Sequence, residues 1–306
     1  MIIAHRGASG YRPEHTRTAY ELAYRMGADW IDVDLVPSAD GHLIARHENE
    51  IGRTTDVAEH PEFADRRTTK TVTGREYTGW FTEDFTLAEL KTLRAKERIP
   101  ELRQANTLYD GRYELLTLPE VLDLIATLGR ELGRRLGISP EVKHSAYFAE
   151  LGLPIEPTLV RTLNEHGLGG SDAPVVVQSF EEQSLRALQP QLDVALLQLV
   201  QYEQPDAATV AEYASYIGPE KKLVIERDER GNLGKPSSLV ATAHEAGLRV
   251  IAWTFRDENA FLPTDLRTGA DDAAVGNVFA EYTAYREAGI DGLVSDNPDT
   301  ALEAPH

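Results

Sequence analysis

Short apolar runs alternate with longer amphipathic stretches along almost the whole of this 306-residue chain. A strand pattern followed by a helix pattern, repeated, implies parallel strands joined by right-handed crossovers. About eight such runs in a chain of this length predict an α/β protein, a TIM (β/α)8 barrel. The other architecture, an open doubly wound sheet, calls for a glycine-rich phosphate loop after a strand, and none is visible.

Ile2–Ala4 opens the series as a strand. Residues 16–26 follow as a helix with Ala19, Leu22, Ala23 and Met26 on one face. Residues 30–36 form the second strand and Leu43–Ala45 a short one. Later strands are expected at 139–142, 175–178, 194–200, near Tyr216, at Arg249–Phe255 and at Gly292–Ser295. Three helix starts show a hydroxyl followed three residues on by Glu: Thr86 with Glu89, Thr117 with Glu120, and Ser179 with Glu182. That spacing satisfies two orphan N–H groups reciprocally, and Pro119 strengthens the second start. Residues from about 49 to 112 break the alternation with a polar stretch, RRTTKTVTGREYTGWFTED. They are expected to form an insertion subdomain, a functional insertion or lid rather than a plain surface excursion, within a single domain spanning 1–306. The charge runs at 60–67 and 226–232 are expected to be solvated loops.

Composition narrows function. The hydrophobic share is 42%, and 31 Lys+Arg against 50 Asp+Glu give a net charge of −19. That field repels nucleic acid and anionic lipid surfaces, so neither is an expected partner. An anionic small substrate requires local positive charge. Cysteine is absent, which excludes disulfides, thiolate catalysis and Cys-based zinc sites. No apolar run reaches membrane-spanning length, so no stable membrane insertion is expected. No basic segment followed by an apolar stretch opens the chain. The expected location is cytoplasmic for the sequence as it stands, and extracytoplasmic if a leader once preceded Met1.

The chemistry begins in WIDVDLV. Alternation places Asp32 and Asp34 on one face and Ile31, Val33 and Leu35 on the other. In a barrel the apolar set packs under the outer helices and the carboxylates point inward. Adjacent carboxylates repel unless a cation lies between them, and hard divalent ions prefer oxygen ligands. SPEVK repeats the logic, with Glu141 and Lys143 sharing a face. His5 and His47 both sit where short strands end, and barrel active sites lie at strand C-termini. Imidazoles there can serve as base and acid. Arg6 offers a planar fork suited to phosphate or carboxylate, and Gly7 lets the backbone turn sharply behind it. Asp32, Asp34 and Glu141 against Arg6 and Lys143 leave one negative charge. A divalent ion inverts that to one positive charge, suited to a phosphate ester.

The ordered set His5-Arg6-Gly7, Pro13-Glu14-His15-Thr16, Asp32-x-Asp34, Asp40-Gly41, His47 and Arg53-Thr54-Thr55 resembles the N-terminal signature of glycerophosphodiester phosphodiesterases. DFTLAELKTL, Glu141-x-Lys143, Gln178-Ser179-Phe180 and AGIDGLVSDNPD extend the resemblance over nearly the whole chain. With its insertion, which the resemblance implies is a subdomain near the active-site mouth of the catalytic barrel, the chain is most similar to the bacterial periplasmic-type members. The resemblance implies Asp32, Asp34 and Glu141 as ligands of a calcium or magnesium ion. It implies His5 and His47 as the acid–base pair, and Arg6 and Lys143 on the phosphate. Gln178, Phe180 and Trp253 would line the substrate. Ser179 would sit at the rim or cap a helix. The family's usual residue at the first acidic position is Glu, so Asp32 is a departure that draws the carboxylate back by one methylene.

The implied activity is metal-dependent hydrolysis of substrates such as glycerophosphocholine or glycerophosphoethanolamine. It passes through a cyclic phosphate to glycerol 3-phosphate and an alcohol. The competing readings are a phospholipase-D-type activity on lysophospholipid and a non-catalytic barrel that binds a phosphoester. The first wants an apolar cleft, and the second should have lost a histidine or a carboxylate. The oligomeric state is left open, a homodimer included.

Overall fold

The computed structural model describes residues 1–304. Eight parallel strands close into a barrel in the order Ile2–Ala4, Trp30–Pro37, Gly137–Val142, Val176–Ser179, Ala195–Val200, Tyr216–Pro219, Arg249–Phe255 and Gly292–Ser295. The first strand closes the ring, pairing Ile3 with Trp30 on one side and with Val294 on the other. Helices link the strands on the outside, among them Arg17–Met26, Leu118–Leu132 and Val278–Glu287.

The predicted strands are present, with ends shifted by one or two residues. Thr16 caps the first helix by accepting from the Ala19 N–H, and Gly27 ends it at φ 111°. The boxes at Thr86 and Thr117 both form. The box expected at Ser179 does not. The helix begins at Glu182, one residue beyond an N-cap at Glu181. Ser179 still belongs to the barrel strand, where its hydroxyl bonds the Val142 carbonyl and accepts from the Glu181 N–H. It is fully buried, so it is not a rim residue beside substrate.

Leu43–Ala45 is not a barrel stave. It runs antiparallel to the end of Trp30–Pro37, with Ala45 beside Leu35 and Leu43 beside Pro37. The insertion follows as 3-10 turns, the short helix Leu87–Leu90 and a hairpin of Thr68–Val72 with Arg75–Gly79. Thr73 and Gly74 turn that hairpin at φ 45° and 81°, the two positive values a tight two-residue loop needs. The run at 60–67 is not a plain solvated loop. It holds the 3-10 helix Pro61–Arg66, which buries Phe63 edge-on against Phe85 at 5.1 Å. The run at 226–232 turns a second hairpin, Ile225–Arg227 with Leu233–Pro236.

The barrel wall separates two apolar clusters. Ile31, Val33, Leu35, Val177, Val250, Ala252 and Leu293 face outward into the core under the helices. Ile3, Val176, Leu197, Leu199, Ile251 and Val294 form the smaller cluster inside. Two residues further along four of the strands, on the same inward row, the chemistry changes. Ile3 gives way to His5, Val176 to Gln178, Ile251 to Trp253 and Val294 to Asp296.

Candidate active site

The first strand ends in a turn that sets the site. Arg6 and Gly7 have φ 57° and 85°. A Cβ on Gly7 would lie 2.6 Å from the Ala19 backbone carbon, so this position admits only glycine. Arg6 bears the strain of its positive φ because its N–H bonds Asp32 Oδ2 at 3.2 Å and its guanidinium is held by acids. Nη1 donates to Glu14 Oε2 at 2.9 Å, and Nε lies 3.3 Å from Asp34 Oδ2. The guanidinium is therefore held in one orientation.

Strand register gathers the acids. Asp34 pairs with Glu141, and Glu141 with Gln178, in one row across three strands. Asp32, Asp34 and Glu141 are buried, and one carboxylate oxygen from each lies within 4.8 Å of the others. The short arm of Asp32 thus still reaches the set. Among the described residues Asp34 Oδ1 has no hydrogen-bond partner, and Glu141 Oε1 faces the Lys143 ammonium at 2.8 Å. Buried anionic oxygens left bare are costly. Fully ionised, the three acids against Arg6 and Lys143 would leave a buried negative charge. This donor set fits a small hard cation. Burial, then Asp34 and Glu141, raise Asp32 well above the usual carboxylate range. Burial and Asp34, working against Lys143, also push Glu141 up. Burial would raise Asp34 too, but Lys143, His47 and His15 hold it well below.

His5 and His47 line the same cavity, of about 1230 Å³, with Arg6, Asp32, Glu141, Lys143, Gln178, Phe180 and Trp253. The antiparallel strand brings His47 there. Its register returns the chain to the level of Asp34, whose carbonyl accepts the Arg46 N–H at 3.0 Å. His5 Nδ1 lies 2.5 Å from Asp296 Oδ1, and His47 Nδ1 lies 2.5 Å from Glu48 Oε1. Burial, then Arg6, lowers His5 to about 4. Burial, Arg6 and Lys143 lower His47 to about 3. Both imidazoles are uncharged at neutral pH.

Gln178 faces the cavity, yet its amide donates to Asp32 Oδ1 at 2.5 Å and to the Ser139 carbonyl at 3.3 Å. It orients a carboxylate. Phe180 packs edge-on against Trp253 at 5.6 Å, and the Trp253 indole N–H is anchored on the Gly218 carbonyl at 2.6 Å. Lys143 Nζ stands 5.8 Å over the Phe180 ring. The hairpin of the insertion reaches the same cavity through Thr73, Arg75 and Tyr77.

Sequence reasoning gave no role to His15, Glu14, Glu48 or Asp296. His15 is fully buried, with Nε2 2.8 Å from Asp34 Oδ2 and Nδ1 2.7 Å from the Tyr20 hydroxyl, so it locks the central carboxylate. Its place in Pro13-Glu14-His15-Thr16, just before a helix cap, was the available signal.

The model of the glycerophosphoryl diester phosphodiesterase family matches residues 5–300. The chain belongs to that family. With the family comes the enzyme class, a phosphoric diester hydrolase. A glycerophosphodiester phosphodiesterase of Arabidopsis thaliana, GDPD6, is 35% identical, covering 96% of this chain and 82% of that protein. The glycerophosphodiester phosphodiesterase of Haemophilus influenzae is 26% identical, over 99% of this chain and 89% of that one. Among solved structures, an Oleispira antarctica phosphodiesterase in complex with the product sn-glycerol-3-phosphate superposes with a TM-score of 0.68. It is 21% identical and covers 99% of this chain and 96% of that one, which establishes the shared barrel fold.

Proposed function

We propose that this glycerophosphodiester phosphodiesterase cleaves small diesters such as glycerophosphocholine and glycerophosphoethanolamine to glycerol 3-phosphate and an alcohol, with His5 and His47 as the acid–base pair. The observation that carries the reading is convergence. Two histidines, an Arg6–Lys143 cation pair and two carboxylates of the acidic cluster, Asp32 and Glu141, border one cavity, with Asp34 completing the cluster behind them.

Arg6 and Lys143 bind the phosphoryl oxygens and stabilise the charge that develops there. A divalent cation, calcium or magnesium, held by Asp32, Asp34 and Glu141 would supply Lewis-acid polarisation of the phosphoryl group and of the adjacent glycerol hydroxyl. Each imidazole donates through Nδ1 to its carboxylate, which leaves Nε2 as a base. One Nε2 removes the glycerol hydroxyl proton, and the freed oxygen attacks phosphorus. The bond to the alcohol breaks as the other imidazole, protonated, gives the leaving oxygen its proton. The diester anion offsets Arg6, a cation that depresses both histidines, and so allows one of them to carry that proton. Water then opens the cyclic phosphate with the two roles exchanged. Phe180 and Trp253 give the glycerol carbons an apolar wall.

The test is release of glycerol 3-phosphate from both substrates, after chelation and after calcium or magnesium is restored. Release that vanishes on chelation and returns with an ion is expected. No release from either substrate with either ion contradicts the reading.

A further inference from the structure

We propose that segment 96–103 of the insertion is a positioning strap, in which Arg98 and Arg103 set the two histidines through the far oxygens of Glu48 and Asp296. This rests on the reading of His5 and His47 as the acid–base pair. The two histidines stand on different elements, yet both are backed in the same way. Glu48 gives Oε1 to His47 Nδ1 at 2.5 Å and Oε2 to an Arg98 Nη2 at 2.6 Å. Asp296 gives Oδ1 to His5 Nδ1 at 2.5 Å and Oδ2 to an Arg103 Nη2 at 2.6 Å. A carboxylate that accepts on both oxygens has one orientation, and an imidazole bonded to it has one tautomer.

The strap is itself ordered for this. Glu97 turns its carboxylate back onto the Ile99 N–H at 2.9 Å and the Asn106 amide at 2.9 Å. Leu102 and Arg103 close a turn on the Ile99 carbonyl at 3.0 Å. Arg103 Nη1 and the Asn106 amide bond the Ser9 carbonyl, which ties the strap to the loop after His5. Arg98 also grips both oxygens of Glu14 at 2.5 Å, and Glu14 in turn holds Arg6. One short stretch outside the barrel strands thus touches the supports of both imidazoles and of the phosphate fork.

The supports are unequal. Asp296 Oδ2 has a second guanidinium, Arg256 Nε at 2.9 Å, and Glu258 shares Arg103 at 2.5 Å. Glu48 has Arg98 as its guanidinium partner. Arg98→Gln should therefore act more strongly than Arg103→Gln.

The test combines imidazole 15N NMR of the full chain, supplied with magnesium or calcium, with kinetics on glycerophosphocholine. In the wild type both histidines are expected as Nδ1–H tautomers. In Arg98→Gln, His47 loses that signature while His5 keeps it, and kcat falls by about 10- to 100-fold, more than KM rises through the loosened Glu14–Arg6 pair. Arg103→Gln disturbs His5, and by less. Arg98→Lys keeps part of kcat, and added guanidinium restores more of it in Arg98→Gln than in Arg98→Lys. A wild type with Nε2–H tautomers at both histidines overturns the proposal without any variant. So does a folded Arg98→Gln or Arg98→Lys enzyme with wild-type kcat and unshifted imidazoles, or one that changes only in KM. A wild type that shows the expected tautomers but releases no glycerol 3-phosphate counts against the activity and leaves the strap standing.

Discussion

The two ends of the barrel interior are levels of one eight-stranded wall, and they do opposite work. The floor is Ile3, Val176, Leu197, Leu199, Ile251 and Val294, all nearly sealed from water. The ceiling is His5, Asp32, Asp34, Glu141, Lys143 and Asp296, equally buried for the most part but ionisable, with the polar Gln178 among them. Burial at the floor stabilises through the hydrophobic effect. Burial at the ceiling costs stability, and raises or lowers pKa values, because charge is taken from water. The fold supports a strained ceiling because the floor and the outer core hold it in place.

The comparison is broken most sharply at the ceiling. His5→Ala is expected to reduce kcat for glycerophosphocholine by about 10²- to 10⁴-fold, the span of a lost acid–base group, while its circular dichroism stays that of the wild type. The floor gives the reverse outcome. Leu197→Ala, fully buried in the inner cluster, should lower unfolding free energy by about 2–5 kcal/mol in denaturant titration with kcat little altered.

Glu141→Gln separates the two terms at one residue. Glu141 prefers its protonated form in the folded chain because of burial and Asp34. A carboxyl raised in this way weakens the metal-free fold as pH climbs through and above the ordinary carboxylate range. The amide removes that loss, so metal-free Glu141→Gln should melt higher than the wild type at alkaline pH. In calorimetry with calcium or magnesium it should lose most cation binding. By the same sign, wild-type cation affinity should rise with pH in that calorimetry, because the incoming ion must displace a proton.

His5 supplies a smaller effect. Its pKa is lowered from 6.5 to about 4 by burial and Arg6. The unfolded chain takes up the proton first as pH falls. Its share of stability is therefore present above pH 6.5 and is lost toward about pH 4, at about 1.4 kcal/mol per pH unit. The difference in unfolding free energy between the wild type and His5→Ala should narrow over that window. At the far end of the scale, Arg17→Ala breaks an exposed i,i+4 pair with Glu21 at 2.8 Å and should change stability by under about 0.5 kcal/mol.

The same contrast explains what was legible in the sequence. Residues on barrel strands announce themselves by period two. Ile31, Val33 and Leu35 turn outward and leave Asp32 and Asp34 inside, and Glu141 with Lys143 follows the same rule. The strand ends gave His5 and His47. Missing were the partners that come from loops. Asp296 lies 291 residues from His5, and Glu258 lies 155 from Arg103. No local pattern connects such positions, since only barrel closure brings them together. Ser179 was misread because a capping spacing and a strand end share the same residues, and the inward pull of the Val142 carbonyl decided it. The hairpin of the insertion was hidden because its strands are largely exposed and polar, so no alternation of burial marks them.

The most direct measurement is kcat for glycerol 3-phosphate release by His5→Ala beside Leu197→Ala, with unfolding free energy taken on the same samples. The account predicts a stable, nearly inactive His5→Ala and an active, weakened Leu197→Ala. A His5→Ala protein that turns over glycerophosphocholine at the wild-type rate contradicts it.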